Sequence, residues 1–482
     1  MKEDSIKNKT ISGLIWRFME RCGAQGVTFV VSIVLARMLD PEVYGTLALV
    51  TVFTAILQVF VDSGLGNALI QKKDSDQLDF STVFYFNIFA CLVVYCLIFF
   101  VAPFIAQFYG MPELVVIIRV LSVTVVISAI KNVQQAYVFK HMLYRKFFFS
   151  TLGGVTGAAV VGIVLAYRGF GVWALVYQQL FNVLVDTVIL WVTVKWHPSF
   201  VFSFERLKKL FSYGWKLLTS SLLHTVYTNL RSLLIGKLYT TEDLAYYNKG
   251  QSFPSLVVTS INTSIDSVLF PAMSSQQDDR ETMKSMTRRA ISTSSYIMWP
   301  LMVGLATVAT PLIELLLTEK WLPAVPYLQI ICITLAFEPM QTANLNAIKA
   351  MGRSDLYLKM EIIKKSISMG ILLLSVRFGV IAIAVSGLLY AFLATVINSH
   401  PNAKLLGYSY IEQIKDMFPS VVLSLFMGLA IYPVTFLQIP LIAVLLIQVL
   451  LGMVIYIGLS QLFKLEPYKY IKDSILSLLK GK

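Results

Sequence analysis

The side chains with the clearest chemical potential lie in the first apolar segment of the chain, residues 11–39. The polar residues of its first half recur at spacings of three and four, which places them on one face of a helix, and they are Arg17, Glu20, Arg21 and Gln25. At 1.5 Å per residue, Arg21 lies roughly 15 Å into this helix, near the middle of a ~30 Å hydrocarbon core. An arginine at that depth costs at least ~2.5 kcal/mol unless it faces water, protein or an anion. The stripe predicts that this arginine lines a cavity. The alternative is a packing contact in which Glu20 or a neighbouring helix neutralises its charge.

The composition indicates a polytopic membrane protein. The chain has 482 residues, of which 57% are hydrophobic and 14% are charged, well below the ~25% charged residues of a soluble domain. We therefore expect an all-α fold with about 14 transmembrane helices. The predicted spans are 11–37, 44–69, 80–107, 113–139, 146–167, 171–194, 208–237, 245–270, 286–317, 323–349, 356–377, 379–400, 415–436 and 439–463.

The basic residues predict how the chain is oriented. With the N-terminus inside, the inner connections and tails hold 26 of the 40 Lys and Arg residues, and the outer connections hold five. This asymmetry predicts that both termini are cytoplasmic. It also accounts for the net charge of +13 without any nucleic-acid partner.

An internal repeat predicts the domain organisation. Residues 165–175, LAYRGFGVWAL, resemble residues 374–384, LSVRFGVIAIA, and Trp16-Arg17 recurs as Trp215-Lys216. Because six spans separate the copies, both enter the membrane from the same side. We expect a lobe of six spans in residues 1–200, a second in 201–402, and two peripheral spans with a cytoplasmic tail in 403–482.

No enzyme motif is present, and the four histidines and four cysteines lack metal-ligand spacing, so we expect neither catalysis nor a metal or other cofactor. Without a P-loop, transport must draw on an ion gradient or on a partner. The candidates for coupling to H⁺ or Na⁺ are the intramembrane acids Glu20, Asp62, Asp186, Asp266 and Glu338. A structural role for each acid is the alternative.

The remaining intramembrane polar residues predict a substrate site. Four basic residues could form the floor of a wet cleft and bind a pyrophosphate, and they are Arg17, Arg21, Lys216 and Arg231. Amides offer donors and acceptors for sugar hydroxyls, and the candidates are Gln25, Gln134 and Asn344. The alternative for the amides is hydrogen bonding between helices, at ~0.6 kcal/mol each.

Four segments carry a family resemblance that covers essentially the whole chain: Leu35–Leu49, Asp62–Gln71, Ala136–Phe147 and Arg168–Val176. With them the chain resembles the polysaccharide transporter family of the multidrug/oligosaccharidyl-lipid/polysaccharide exporter superfamily, which includes Wzx-type flippases. The resemblance implies two six-helix lobes in a V shape, alternating access, and a bacterial plasma membrane location. It also implies a cationic cavity at Arg17 and Arg21, with Lys216 and Arg231.

The function expected from these features is flipping of an undecaprenyl-pyrophosphate-linked oligosaccharide to the outer leaflet for a cell-surface polysaccharide. The expected partners are this lipid-linked substrate and the bilayer, with polysaccharide polymerase and chain-length proteins as further candidates. The alternatives are a multidrug antiporter of the same superfamily, a membrane-embedded synthase or ligase, and a lipid II flippase. The last is weakened by the small number of arginines in the first lobe.

Overall fold

The computed structural model describes residues 2–62 and 64–479, and these residues form helices joined by turns and by one extended segment of ten residues. Ser63, within the Asp62–Gln71 motif, and the terminal residues 1 and 480–482 lie outside this description. Helices are what the apolar composition requires, because a chain in lipid must satisfy its backbone hydrogen bonds within each segment. The all-helical prediction is therefore confirmed.

The chain forms two compact units, Met1–Ala245 and Tyr246–Lys482. The first unit contains α1 (Lys2–Met38), α2 (Pro41–Asp62), α3 (Leu65–Gln71), α4 (Gln77–Tyr109), α5 (Leu114–Leu121), α6 (Val123–Lys140), α7 (Tyr144–Tyr167), α8 (Val172–Thr193) and α9 (Phe204–Leu238). Within this unit, α7 packs against α1 and α8, while α9 packs along α2, α3 and α4.

The second unit begins within α10. Its helices are α10 (Thr241–Ser274), α11 (Arg280–Thr307), α12 (Ala309–Leu317), α13 (Val325–Leu335), α14 (Glu338–Ala350), α15 (Ser354–Ser375), α16 (Val380–Leu405), α17 (Tyr410–Ile431), α18 (Leu441–Leu462) and α19 (Glu466–Leu479). α11 is central, since it packs against α13, α14, α17 and the terminal helix α19.

Eleven helical segments of the described chain are long and apolar enough to cross a membrane, or twelve if α11 and α12, bent by 65°, form one span. The two other predicted spans coincide with α9 and α15. Both are long enough, at 35 and 22 residues, but α9 carries many charged and hydroxyl side chains and α15 has four charged residues in its first half. The count of fourteen remains a prediction.

The internal repeat is visible in the helix boundaries. α1 and α9 end at Met38 and Leu238, and α2 and α10 begin at Pro41 and Thr241, both at an offset of 200. Later in each copy the offset is 208. There α7 and α15 end at Tyr167 and Ser375, and the next helices begin after Gly171 and Gly379. Both glycines have positive φ, at 54° and 100°, a backbone conformation that disfavours other residues.

The first compact unit extends beyond residue 200 because α9 belongs to it. The chain is tightly packed where α2 begins, since a Cβ atom added to Gly45 would lie 1.8 Å from the carbonyl oxygen of Thr241. Only a glycine fits at this distance. The predicted division into lobes of six spans at residues 200 and 402 remains a prediction.

The segment between α8 and α9, residues 194–203, is extended and is bound to α4. The Gln77 amide donates to the carbonyl oxygen of His197 at 2.7 Å and accepts from the Trp196 indole nitrogen at 2.6 Å. The Ser203 backbone N–H donates to the Thr82 hydroxyl at 3.2 Å. These contacts place the first turn of α9 beside the start of α4.

A buried carboxylate lies at this junction. Asp79 has no exposed surface and pairs with Lys72 at 2.5 Å and with Arg206 at 3.3 Å. Asp79 also completes a capping box with Asp76 at the start of α4. A buried carboxylate is tolerated only when charges and hydrogen bonds satisfy it, so this cluster links α9 to the loop before α4.

Candidate functional site

The polar stripe predicted for the first span is present on α1. Arg17 donates to Glu20 at 3.1 Å, and 44% of the Arg17 side chain remains exposed. Its guanidinium lies over two aromatic rings, 4.8 Å from the centroid of Phe139 and 5.1 Å from that of Phe147. The rings hold the guanidinium by cation–π contact, while the single bond to Glu20 leaves most of its donors free.

Two further arginines lie near this stripe. Arg21 is exposed, and no hydrogen bond or ion pair among the described residues involves its side chain; Gln25 is also exposed. Arg145, at the start of α7, lies 5.5 Å from the ring centroid of Trp16 on α1. Sequence reasoning did not select Arg145, although it lies in one of the segments that carry the resemblance.

A buried ion pair lies deeper in the same unit. Lys131 of α6 donates to Asp186 of α8 at 2.8 Å, and these side chains are only 19% and 10% exposed. The second carboxylate oxygen of Asp186, Oδ1, is buried without a hydrogen-bond partner in the described chain. Glu20 lies within electrostatic range of Asp186. Asp186 is one of the predicted coupling acids, whereas its pairing with Lys131 is not predicted from the sequence.

Asp62, at the end of α2, joins the same polar region. It accepts from Asn132 at 3.5 Å and from Gln58, and it lies within electrostatic range of Lys131. Asn132 in turn accepts from Asn87 of α4 at 3.2 Å. The structure therefore places two predicted coupling acids, Glu20 and Asp62, near the Lys131–Asp186 pair.

The other two predicted basic residues lie on α9. Lys216 is exposed, whereas Arg231 is partly buried and its Nε has no hydrogen-bond partner among the residues described. α9 packs on α2, α3 and α4, while α1 packs on α7. Within residues 2–62 and 64–479, no hydrogen bond or ion pair joins Lys216 or Arg231 to α1, so a four-residue floor is not assembled by direct contact.

The structure buries Gln134 and Asn344 among helices, which supports the packing alternative for these amides; their role as sugar-binding residues remains a prediction. Gln134 is fully buried and donates to the carbonyl oxygen of Trp196 at 2.8 Å. Asn344 is also fully buried, donates to Gln413 at 2.7 Å and accepts from Asn402 at 2.6 Å. In this structure neither amide is exposed to a sugar, because both side chains are fully buried.

The second unit holds the two remaining candidate acids. Asp266 on α10 accepts from Asn346 on α14 at 2.6 Å. Glu338, at the start of α14, lies within electrostatic range of Lys364, whose amine pairs with Glu361 at 2.5 Å. The two acids thus have separate partners. In the described chain, no group of three or more His, Cys, Asp and Glu residues is arranged to hold a metal ion.

Residues 34–326 match the family model described as "Polysaccharide biosynthesis protein". The chain belongs to this family. Its similar relatives include "Teichuronic acid biosynthesis protein TuaB" of Bacillus subtilis, 26% identical over 73% of each chain. "Lipopolysaccharide biosynthesis protein WzxC" of Escherichia coli is 25% identical, over 87% of this chain and 86% of that protein. "Succinoglycan biosynthesis transport protein ExoT" of Rhizobium meliloti is 24% identical, over 68% and 67%.

Two solved structures share the fold. A structure titled "Lipid II flippase MurJ, inward closed conformation" superposes with a TM-score of 0.74 at 15% identity, covering 94% of this chain and 98% of that one. An inward-facing multidrug resistance MATE family transporter gives a TM-score of 0.60 at 17% identity, over 79% and 95%. The family resemblance inferred from sequence is confirmed, and the chain is a multi-pass membrane protein of a transporter family.

Proposed function

We propose that the protein flips a lipid-linked oligosaccharide across the bacterial plasma membrane, from the inner to the outer leaflet, for assembly of a cell-surface polysaccharide. The observation that carries the proposal is the α1 stripe, where Arg17 and Arg21 remain exposed in a chain of the polysaccharide biosynthesis family. Three relatives named for surface polysaccharides support the substrate class.

The proposed role of the stripe is to bind the pyrophosphate that links lipid to sugar. A guanidinium presents a planar fork of donors that suits phosphate oxygens. Arg17 is oriented by two aromatic rings, and Arg21 makes no ion pair with the described residues. Lys216 and Arg231 are proposed as further phosphate contacts during the transport cycle, and Gln25 as the amide on this face for the sugar.

The proposed energy source is a gradient of H⁺ or Na⁺ acting through acids. In the first unit, Glu20 and Asp62 lie near the Lys131–Asp186 pair, so a change in charge at one acid alters the electrostatic energy of the others. Asp266 and Glu338 are the corresponding candidates in the second unit. Alternating access between inner and outer leaflets is the proposed mode of transport.

The predicted topology completes the proposal. Both termini are proposed to be cytoplasmic because the basic residues concentrate on that side. Polysaccharide polymerase and chain-length proteins are proposed as downstream partners, since they use a substrate in the outer leaflet.

The decisive experiment is to deplete the protein and locate the lipid-linked oligosaccharide. We expect it to accumulate in the inner leaflet, inaccessible to an external glycosidase or lectin, while surface polysaccharide is lost. If no lipid-linked intermediate accumulates, the proposal is wrong, and sensitivity of the depleted strain to a panel of cationic drugs then tests the multidrug antiporter alternative.

A further inference from the structure

Two cavities lie along one face of α11 in the second unit. The first has a volume of about 510 Å³, lies beside the N-terminal turns of α11 between α17 and α19, and is lined by charged and hydroxyl side chains. The second, of about 600 Å³, follows on α11 between α12, α17 and α18, and its lining is almost entirely apolar. Each is large enough to hold part of a small molecule.

The two cavities are consecutive on the helix. Arg289, Ser292 and Thr293 line the polar cavity, and Tyr296 and Ile297, one turn further, begin the apolar one. These spacings of three and four residues place all five on one face of α11. The apolar stretch continues to residue 305, which is roughly 14 Å of helix and comparable to one leaflet of a ~30 Å hydrocarbon core. A polar cavity followed on the same helix face by an apolar one is the order in which a lipid presents its headgroup and its acyl chain.

The terminal helix α19 forms the outer wall of the polar cavity. Glu466, Lys469, Tyr470 and Asp473 recur at helical spacing and face the cavity. On the opposite side of α19, Tyr468 and Ile471 pack against a hydrophobic cluster that includes Tyr456 of α18. This apolar contact holds α19 in place, and the charged face of α19 is directed toward the cavity.

The charges of this cavity are partly unsatisfied. Arg288 is neutralised by Asp416 at 2.7 Å. Arg289, by contrast, lies 4.9 Å from the ring centroid of Tyr470 and, like Lys469, has no ion pair among the described residues. Glu466 and Asp473 likewise form none there, and Glu466 lies within electrostatic range of Arg288. Two cations and two anions therefore remain available on one small surface.

We propose that this site binds a phospholipid with a phosphoethanolamine headgroup, phosphatidylethanolamine, as a structural ligand. Arg289 and Lys469 would bind the phosphate, and Glu466 and Asp473 would accept hydrogen bonds from the primary ammonium. One acyl chain would fill the apolar groove. The balanced charge favours a zwitterion over an anionic lipid, and the acids favour an ammonium that donates hydrogen bonds over a quaternary one.

The test uses the full-length protein, purified and delipidated in detergent. Thermal unfolding and native mass spectrometry are followed after addition of phosphatidylethanolamine, phosphatidylglycerol or phosphatidylcholine. We expect phosphatidylethanolamine to raise the melting temperature most and to bind at least fivefold more tightly than the other two lipids. The R289Q/K469Q variant should lose this binding, whereas K472Q, a lysine of α19 outside the cavity lining, should keep it.

Two further variants separate headgroup from chain and guard against misfolding. E466Q/D473N should bind phosphatidylethanolamine and phosphatidylcholine equally. Gly304→Leu should fill the groove and abolish lipid binding. The variant should still fold, because a Cβ atom at Gly304 meets only the flexible end of Met427, at 3.7 Å. Three results would overturn the proposal: equal binding of all three lipids to the unmodified protein, equal stabilisation by glycerophosphoethanolamine, or displacement of the lipid by undecaprenyl phosphate. The second indicates a site for soluble phosphate esters, and the third a site for the polyprenyl chain.

Discussion

Gln134 and Asn344 occupy the same position relative to the end of their helices, each six residues before the last residue, Lys140 and Ala350. Both are fully buried, and each hydrogen bonds to the chain that follows the sixth span of its own copy. Gln134 donates to Trp196 after α8, and Asn344 donates to Gln413 of α17 after α16. Two amides at the same distance from a helix end thus make similar packing contacts.

Replacing either amide by leucine should therefore lower the stability of the protein more than it weakens substrate binding. Gln134→Leu leaves the Trp196 carbonyl oxygen without its donor, and an unsatisfied buried group costs about 1–3 kcal/mol. We expect a lower melting temperature of the purified protein for Gln134→Leu and Asn344→Leu, and little change for Gln25→Leu at an exposed position. A variant with normal melting temperature but defective transport would return these amides to the substrate site.

Removal of both exposed arginines of α1 should abolish function without unfolding the protein. We expect Arg17→Gln/Arg21→Gln to reduce surface polysaccharide at least tenfold, since the proposed pyrophosphate site loses its forked donors. Immunoblotting of membranes should show normal abundance. Arg377→Gln, at an exposed arginine outside the proposed site, is the matched control. Wild-type polysaccharide in the double variant would contradict the charge argument.

The buried pair Lys131–Asp186 provides a test that separates structure from coupling. Removing one partner, as in Lys131→Met, leaves a buried unpaired carboxylate and should destabilise the protein by about 3–5 kcal/mol. The double variant Lys131→Met/Asp186→Leu removes both charges and should recover most of that loss. Restored stability together with lost transport is the result expected if the pair takes part in coupling. Normal transport in the double variant would limit the pair to a structural role.

The Arg353–Asp355 pair at the start of α15 predicts a specific pH dependence. Hydrogen bonds of 2.8 and 2.9 Å from the Arg353 guanidinium lower the pKa of the Asp355 carboxyl to about 2. Because this pKa lies below the ordinary value of about 3.9, the stabilisation is fully present above pH ~4 and is lost as the pH falls through about 2.

The difference in melting temperature between the native protein and Asp355→Asn should be constant from pH 8 to 5 and shrink below pH ~4. It should be small, since the pair is exposed. In the Arg353→Gln variant, the melting temperature should show little of this pH dependence. A difference that already changes between pH 7 and 5 would exclude Asp355 as its source.

The helical fold could be predicted from sequence because membrane insertion imposes it on any long apolar segment. The repeat could also be predicted from sequence, since Gly171 and Gly379 mark the same turn in both copies. The α1 stripe also followed from periodicity, because spacing determines which side chains share a helix face. These features depend on local sequence alone.

The contacts of the buried amides and of Arg145 involve residues that are distant in sequence. Nothing near Gln134 or Asn344 indicates that the chain 62 or 69 residues later supplies their partners. Arg145 was missed because its ring contact with Trp16 arises only when α1 packs on α7. Polar residues inside a span indicate a special role, but whether that role is packing or binding is decided by tertiary neighbours.

The buried carboxylate of Asp79 has a consequence for biogenesis. Its partner Arg206 follows it by 127 residues in the chain, so at synthesis rates of roughly 5–20 residues per second it emerges about 6–25 s later. Until then Lys72 is the one cation of the described chain that forms a direct ion pair with Asp79, and Lys140 lies within electrostatic range. The first six spans must therefore wait in the membrane, incompletely assembled, until translation delivers the start of α9.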